Sequence, residues 1–442
     1  MLTSIVMLTH NQLHYTKQCI DSIRKYTKKE SYELIVIDNA STDGTIEWLQ
    51  LQSDILLMKN TTNVGFPRGC NQGIEKAKGD NILLLNNDVV VTENWLTNLL
   101  ACLYEQPDTA AVGPVTNSAS YYSTIPVPYT NIEEMQKFAA MYNQSDATKW
   151  EERIKLIGFC MLIKRAVLNE IGLLDERFTP GNYEDDDLSL RMRQKGYKLY
   201  LCRDTFVHHY GSVSWKENIP QYSALLYANA LKFQQKWGFP SSDLFIRFDL
   251  LQLSDMYYKE GMNILHIGAG CGATLLEMKW RYRNGNFFGV EEKKEAVNIA
   301  EYVAPTLHVK LNELEGKFSN EKFSIILLSC PVYREHMVAV IRGVSRLLHR
   351  DGFLIMSFPN SNYYTRIEQR FQLQGENEEA EQSYNLAEIM ILLEKEQLKV
   401  IKIQELGGDL GRWHEQYASF CNSLIGRIDA HLAGYSLIVS HV

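Results

Sequence analysis

Among its eight cysteines the chain has no Cys-x-x-Cys pair and no ligand-like spacing, no run of apolar residues approaches 18, and positive charge is not in excess. Each absence closes a class of function. Thiols scattered at 19, 70, 102, 160, 202, 271, 330 and 421 do not form a zinc module or a disulfide framework, and they read as reduced cysteines in the cytoplasm. Without a long apolar run no transmembrane segment is expected, and the step from strand-like "SIVML" to polar "THNQ" does not read as a signal peptide. A net charge of −8 gives no overall attraction to nucleic acid or anionic lipid. A local basic patch would still permit peripheral contact at the inner face of the membrane. No internal repeat is found, and the short acidic "GENEEAEQ" reads as a solvated loop.

What is present is a long, ordinary, patterned chain. At 442 residues it exceeds a comfortable single core, so two domains are the default. The first part alternates apolar runs ("SIVMLTHN", "YELIVIDNASTDG", "NILLLNNDVVV") with helical segments ("YTKQCIDSIRKY", "TIEWLQLQ"), the pattern of a mostly parallel sheet covered by helices. Residues 116–155 lose this rhythm and read as a mobile loop over a site. After "FQQKWGFPSSD" the alternation restarts near residue 261, with seven strand candidates to the end of the chain. The fold class is α/β, with domains at 1–240 and 261–442 and a linker at 241–260.

In open parallel sheets ligands bind beyond the carboxyl ends of the strands. The residues there are Thr9-His10-Asn11, Asp38-Asn39-Ala40-Ser41-Thr42-Asp43 and Asn86-Asn87-Asp88, all polar, which points to a nucleotide site. Further on, "NYEDDDLSLR" crowds Glu184, Asp185, Asp186 and Asp187 together. Acids are favoured at a helix start, but one or two would suffice for that. Like charges so close should raise at least one of their pKa values, which suits a general base. Trp48, Trp95 and Leu99 read as packing residues, "GFCML" at 158–162 as an apolar wall, and Gly65 and Gly69 as turn positions beside the nucleotide.

Taken together, "SIVMLTHN", "LIVIDNASTDGT", "NVGFPRGCNQGI", "ILLLNNDVVVTENWL", "GFCMLIKRAVLNEIGLLDERF", "NYEDDDLSLRMRQKGYKL" and "DTFVHHYGSVS" resemble the inverting glycosyltransferases of family 2, with the GT-A fold. The resemblance implies a nucleotide-sugar donor, UDP-linked, and a hydroxyl acceptor on a glycan or protein. It assigns Asp38 to the nucleotide base, with Thr9, Asn11, Asp43, Arg68 and Asn87 around the donor. Asn86-Asn87-Asp88 stands where the family has its D-x-D-like motif, so Asp88 would hold Mn²⁺ or Mg²⁺, with His209 or its neighbour His208 completing the site. Asp185 takes the place of the base, with Glu184 orienting it or binding the acceptor, and Asp187 caps the helix and holds Arg191 or Arg193.

The second domain opens with "ILHIGAGCGAT", glycines 268, 270 and 272 between a strand and a helix, with Glu291 about 20 residues on. By itself this also fits a dinucleotide fingerprint. With "FSIILLSCPVYREHMVAVIRGVSRLLHRDGFLIMSFPN" it resembles the class I S-adenosylmethionine-dependent methyltransferases, a Rossmann-like seven-stranded fold. That resemblance places the cofactor's amino-acid end on Gly268, Gly270 and Gly272 and its ribose on Glu291. Asn312 replaces the family's adenine-contacting acid, and Cys330-Pro331 replaces polar residues after the fourth strand. The expected functions are a metal-dependent glycosyltransferase whose second domain methylates or recognises the acceptor, or else a silent protein that binds both ligands. Oligomeric state is not legible.

Overall fold

The computed structural model describes residues 1–211, 219–314, 316–318, 321–361, 363, 382–407, 429 and 432–442. The chain divides into two compact units, Met1–Ser242 and Asp243–Val442. Most of the acidic stretch from Gly375 lies outside the described residues.

In the first unit the strands are β1 (Thr3–Thr9), β2 (Tyr32–Asn39), β3 (Ile55–Asn60), β4 (Asn81–Asn86), β5 (Val89–Val90), β6 (Thr109–Val115), β7 (Trp150–Arg153), β8 (Cys160–Lys164), β9 (Lys198–Phe206) and β10 (His208–His209). Eight of them form one mixed sheet in the order β3-β2-β1-β4-β8-β6-β9-β7, while β5 and β10 pair separately. β1, β2, β3 and β4 run parallel, and β8 is antiparallel to both β4 and β6. Near-continuous burial along β1, β2 and β4 explains their unbroken Ile, Leu and Val runs, because helices cover both faces. Register then does the positional work. Thr9 pairs with Asp38 and Leu8 with Asn86, so the polar residues that end these strands reach one edge together.

Trp95 and Leu99 are fully buried as expected, Trp95 donating its indole N–H to Thr27 Oγ1 at 3.0 Å. Trp48 is half-buried, with the Lys17 ammonium over its ring. Residues 116–155 depart from the expected loop. They contain the helix Ile132–Tyr142, with Asn131 capping at Glu134 N and Met135 and Ala139 turned into the core, and then β7. The polar loop composition hid two buried helix positions, which sufficed to order the segment.

The second unit carries β11 (Asn263–Ile267), β12 (Asn286–Glu291), β13 (Thr306–His308), β14 (Phe323–Leu328), β15 (Leu348–Pro359), β16 (Leu398–Gly407) and β17 (Leu432–His441). Their order is β13-β12-β11-β14-β15-β17-β16, with β17 antiparallel to both of its neighbours. This is the seven-stranded Rossmann-like sheet that the sequence led us to expect. Residues 241–260 are not an extended linker. They include the helix Phe248–Ser254, whose Leu250, Leu251 and Leu253 are buried.

One buried ion cluster ties the helix Glu184–Gln194 to the helix Ile219–Trp237. Asp187, with no exposed surface, accepts from Arg191 Nε at 2.9 Å, from Lys236 Nζ at 2.5 Å and from Trp237 Nε1 at 3.0 Å. The capping residue expected there holds Arg191 within its own helix and anchors the second helix through Lys236 and Trp237, while Arg193 pairs with Glu152. Removing one partner of a buried charge cluster costs about 3–5 kcal/mol. Asp187→Ala is expected to lower unfolding free energy by about 3 kcal/mol in chemical denaturation. A loss below about 1 kcal/mol, the size of an exposed ion pair, would refute the anchoring role.

Candidate active site of the first unit

The edge formed by the ends of β1 and β2 is built from self-satisfied loops. Asp38 Oδ2 accepts from Thr9 Oγ1 (3.1 Å) and Ser41 Oγ (2.5 Å), and Oδ1 accepts from Ser41 N (2.8 Å). Asn11 Oδ1 accepts from Thr42 N at 2.8 Å, and Asn11 N donates to Ser41 Oγ at 2.7 Å. Asp43 links two helix starts, accepting from Leu13 N (2.9 Å) and Thr45 Oγ1 (2.5 Å). Burial alone would raise the Asp43 carboxyl, but these hydrogen bonds outweigh it and hold the group below the usual carboxylate range. Asn11, Gln12 and Ala40 all have φ near +60°, a strained conformation for residues with a Cβ that concentrates at functional edges.

Thr9, Asn11, Asp38 and Asp43 therefore meet, with one change of role. Asp38 has no accessible surface and three donors of its own, so in this structure it shapes the turn that would face a base instead of facing it. Asn87 is likewise turned away, donating its amide to Thr16 Oγ1 at 3.0 Å. Arg68 is exposed in the first turn of the helix Phe66–Lys76. Just before it, Gly65 has φ +85°, and a Cβ there would lie 3.0 Å from Pro180 Cα, in the loop that leads into the acidic helix. Gly69, in contrast, is a packing glycine against Leu8, not a turn.

β5 and β10 place Val89 opposite His209, which brings the neighbouring Asp88 onto the imidazole: Asp88 Oδ1 is 3.2 Å from His209 Nε2, and both residues are buried. His209 Nδ1 lies 2.7 Å from the Ser118 carbonyl, which can only accept, so that nitrogen carries a proton. Nε2 has no hydrogen-bond partner and faces a carboxylate. That gap suits a proton or a cation. Phe159 stacks on the ring at 5.0 Å, fixing its plane. The alternative, His208, is held by the Tyr129 hydroxyl at 2.7 Å, and burial pushes its pKa down to about 4, so it is a neutral wall residue. Among the described residues no group of three or more His, Cys, Asp or Glu gathers as a cation site.

The four acids are sorted by their partners. Asp186 forms a buried pair with Lys155 at 2.7 Å, and Asp187 is the anchor described above. Asp185, half-buried, accepts only from N–H groups, Gly158 N at 2.9 Å and Asp186 N at 3.0 Å. Burial first, and then the Asp186 charge, raise its pKa to about 6 against the lowering pull of Lys155. Glu184 Oε2 is buried without a partner, and burial with the charges of Asp185 and Asp186 pushes that carboxyl well above the usual range. Gly158 and Phe159 thus join the two halves: the N–H of one holds Asp185, and the ring of the next packs on the histidine beside Asp88. In the sequence this pair looked only like an apolar wall. Backbone donors leave no signature in a sequence, and neither does the Ser118 carbonyl.

Residues 4–172 match the model of the glycosyl transferase family 2. That match lies within the first unit. Over 214 residues the chain is 24% identical to the glycosyltransferase GlyG of Streptococcus pneumoniae serotype 4, covering 47% of this chain and 67% of that protein. A second relative, from Sinorhizobium fredii, is spanned over only 27% of its own length. Among solved structures, the mannosyltransferase PcManGT from Pyrobaculum calidifontis in complex with GDP-Man and Mn²⁺ aligns with a TM-score of 0.39 and 18% identity, over 52% of this chain and 64% of that one. A TehB-like SAM-dependent methyltransferase from Corynebacterium glutamicum aligns with a TM-score of 0.32 and 13% identity, over 49% of this chain and 99% of its own.

Within the first unit Gly65 backs directly onto Pro180, and Phe66 N donates to the Pro180 carbonyl at 2.8 Å. A Cβ there meets backbone as well as an unfavourable φ, and such strain costs roughly 1–3 kcal/mol. Gly65→Ala is expected to destabilise the domain by that order and to weaken donor binding. Wild-type stability and affinity in the variant would show that the loop has slack.

Proposed function

We propose that the first unit transfers a sugar from a nucleoside-diphosphate donor, with UDP-sugars the first to test, to a hydroxyl group of a glycan or protein, with inversion at the anomeric carbon. The observation that carries this reading is the state of Asp185: reachable, held by N–H groups and, among the described residues, by no cation, with a pKa raised to about 6. Such a carboxylate is ionised at neutral pH yet basic enough to take a proton from an alcohol. The acceptor oxygen attacks the anomeric carbon as its proton passes to Asp185, and the bond from that carbon to the diphosphate oxygen breaks. Burial, with the charges of Asp185 and Asp186, raises the neighbouring Glu184 carboxyl well above the usual carboxylate range.

Asp88 Oδ1 and His209 Nε2 would hold Mn²⁺ or Mg²⁺, and their chemistry fits: a carboxylate and a buried ring nitrogen without a hydrogen-bond partner among the described residues, oriented by the bond from Nδ1 to the Ser118 carbonyl on its far side. When bound, the cation neutralises charge on the diphosphate. With two protein ligands, the remaining positions fall to phosphate oxygens and water. Thr9, Asn11 and Asp43 shape the floor of the nucleotide edge, and exposed Arg68 is free to approach phosphate.

Asp185→Asn is expected to lower kcat by about a hundred- to ten-thousand-fold while donor affinity changes less than about threefold. In the wild type kcat/KM should fall about tenfold per pH unit below pH 6, where Asp185 becomes protonated. A rate that stays level down to pH 4.5, or a variant retaining a tenth of the activity, would remove Asp185 from the role of base. Calorimetry with UDP-sugars, with and without Mn²⁺, is expected to show metal-dependent binding that Asp88→Asn abolishes. Equal affinity in both conditions would place the cation elsewhere.

A further inference from the structure

In an open sheet the ligand crevice lies at the strands' carboxyl ends, where strand order reverses. In the second unit that point falls between β11 and β14, and the glycines at 268, 270 and 272 follow β11 as a ligand cradle would require. The chain itself occupies the cradle. The Asp243 carbonyl accepts from Cys271 N at 3.0 Å, and a Cβ on Gly270 would lie 2.6 Å from that oxygen and 3.1 Å from Asp243 Cα. A Cβ on Gly268 would meet the Cys330 Cβ at 2.4 Å. Arg247 crosses the ends of the next two strands, donating to the Ser329 carbonyl at 2.6 Å and to Ser357 Oγ at 3.0 Å.

The remaining polar groups of the cradle are consumed as well. Glu291, 4% exposed, accepts from the N–H groups of Gly270, Glu292 and Lys293. Lys293 Nζ pairs with Asp243 Oδ2 at 2.8 Å and lies 3.8 Å from Glu291 Oε1, pinning the segment to the second strand. Leu244 and Ile246 are buried beneath it, so displacing residues 243–247 would expose apolar surface. S-adenosylmethionine needs free amides for its carboxylate and an accessible acid for its ribose. The Gly270 and Cys271 amides and the Glu291 carboxylate are all taken, and the residues present do not fit the cofactor.

We propose that the second unit has a methyltransferase-like fold that binds no S-adenosylmethionine, because residues Asp243–Arg247 seal its ligand crevice. Titration of the full chain with S-adenosylmethionine and S-adenosylhomocysteine to about 1 mM should give no saturable heat and no change in hydrogen exchange at the Gly270 and Cys271 amides. Saturable one-to-one binding to the wild-type chain would overturn the proposal. The seal itself is read through Lys293→Met, which removes the pin but keeps the apolar stem, and through the milder Lys293→Arg. Exchange at the Cys271 amide should rise at least roughly tenfold in the first and stay near wild type in the second, with circular dichroism confirming that both are folded. An unchanged rate in a folded Lys293→Met variant would show that the segment is not held over the cradle as described.

Discussion

The first unit depends on a shortage of cations at the start of one helix. Four carboxylates open the helix Glu184–Gln194, and the surrounding core answers only two of them with side-chain charges, Lys155 for Asp186 and Arg191 with Lys236 for Asp187. Glu184 is left without a side-chain cation among the described residues, and burial raises its carboxyl well above the usual range. Asp185 is left with backbone N–H groups, enough to orient it and too little to quench its basicity. This arrangement costs stability. A carboxyl whose folded pKa lies above its unfolded value makes the fold less stable as pH rises through the interval between them, here up to about 6. The helix dipole and the buried anchor at Asp187 offset that cost.

The donor edge follows a related logic. Parallel strands in fixed register bring Thr9, Asp38 and Asn86 to one line, and the loops beyond them satisfy their own polar groups so that the edge is rigid before any ligand arrives. Strain at Asn11, Gln12 and Ala40 is held in place by those same bonds. The second unit shows how little the architecture decides by itself. Its sheet has the switch point and the glycines of a cofactor-binding fold, yet the segment from Asp243 takes the Cys271 amide and Glu291 takes that of Gly270.

Much of this was legible in the chain. Apolar runs of strand length separated by helical periods disclosed two α/β units, and the polar triplets after β1, β2 and β4 fall at one edge of the first sheet. The helix within 116–155 was not legible, because the polar, proline-bearing residues before it set the character of the stretch, although Met135 and Ala139 are buried and Ile132, Phe138 and Tyr142 pack against the core. Nor were the partners of the site. Gly158, Phe159 and Ser118 act through a backbone N–H, a ring face and a carbonyl, none of which a residue type announces. Nor were the partners of Asp38 and Asn87, whose side chains are engaged by Thr9 and Ser41 and by Thr16, since the orientation of a side chain depends on which hydroxyl stands next to it.

Sequence alone therefore determined the strands and their polar ends, the crowding of acids from Glu184 to Asp187, and the glycine-rich turn after β11, since these follow from local periodicity and residue chemistry. Only tertiary structure decided which acid keeps a raised pKa, which histidine nitrogen is left bare beside Asp88, and whether the second cradle is open. Each of those outcomes is set by cations, carbonyls and backbone amides brought in from far along the chain.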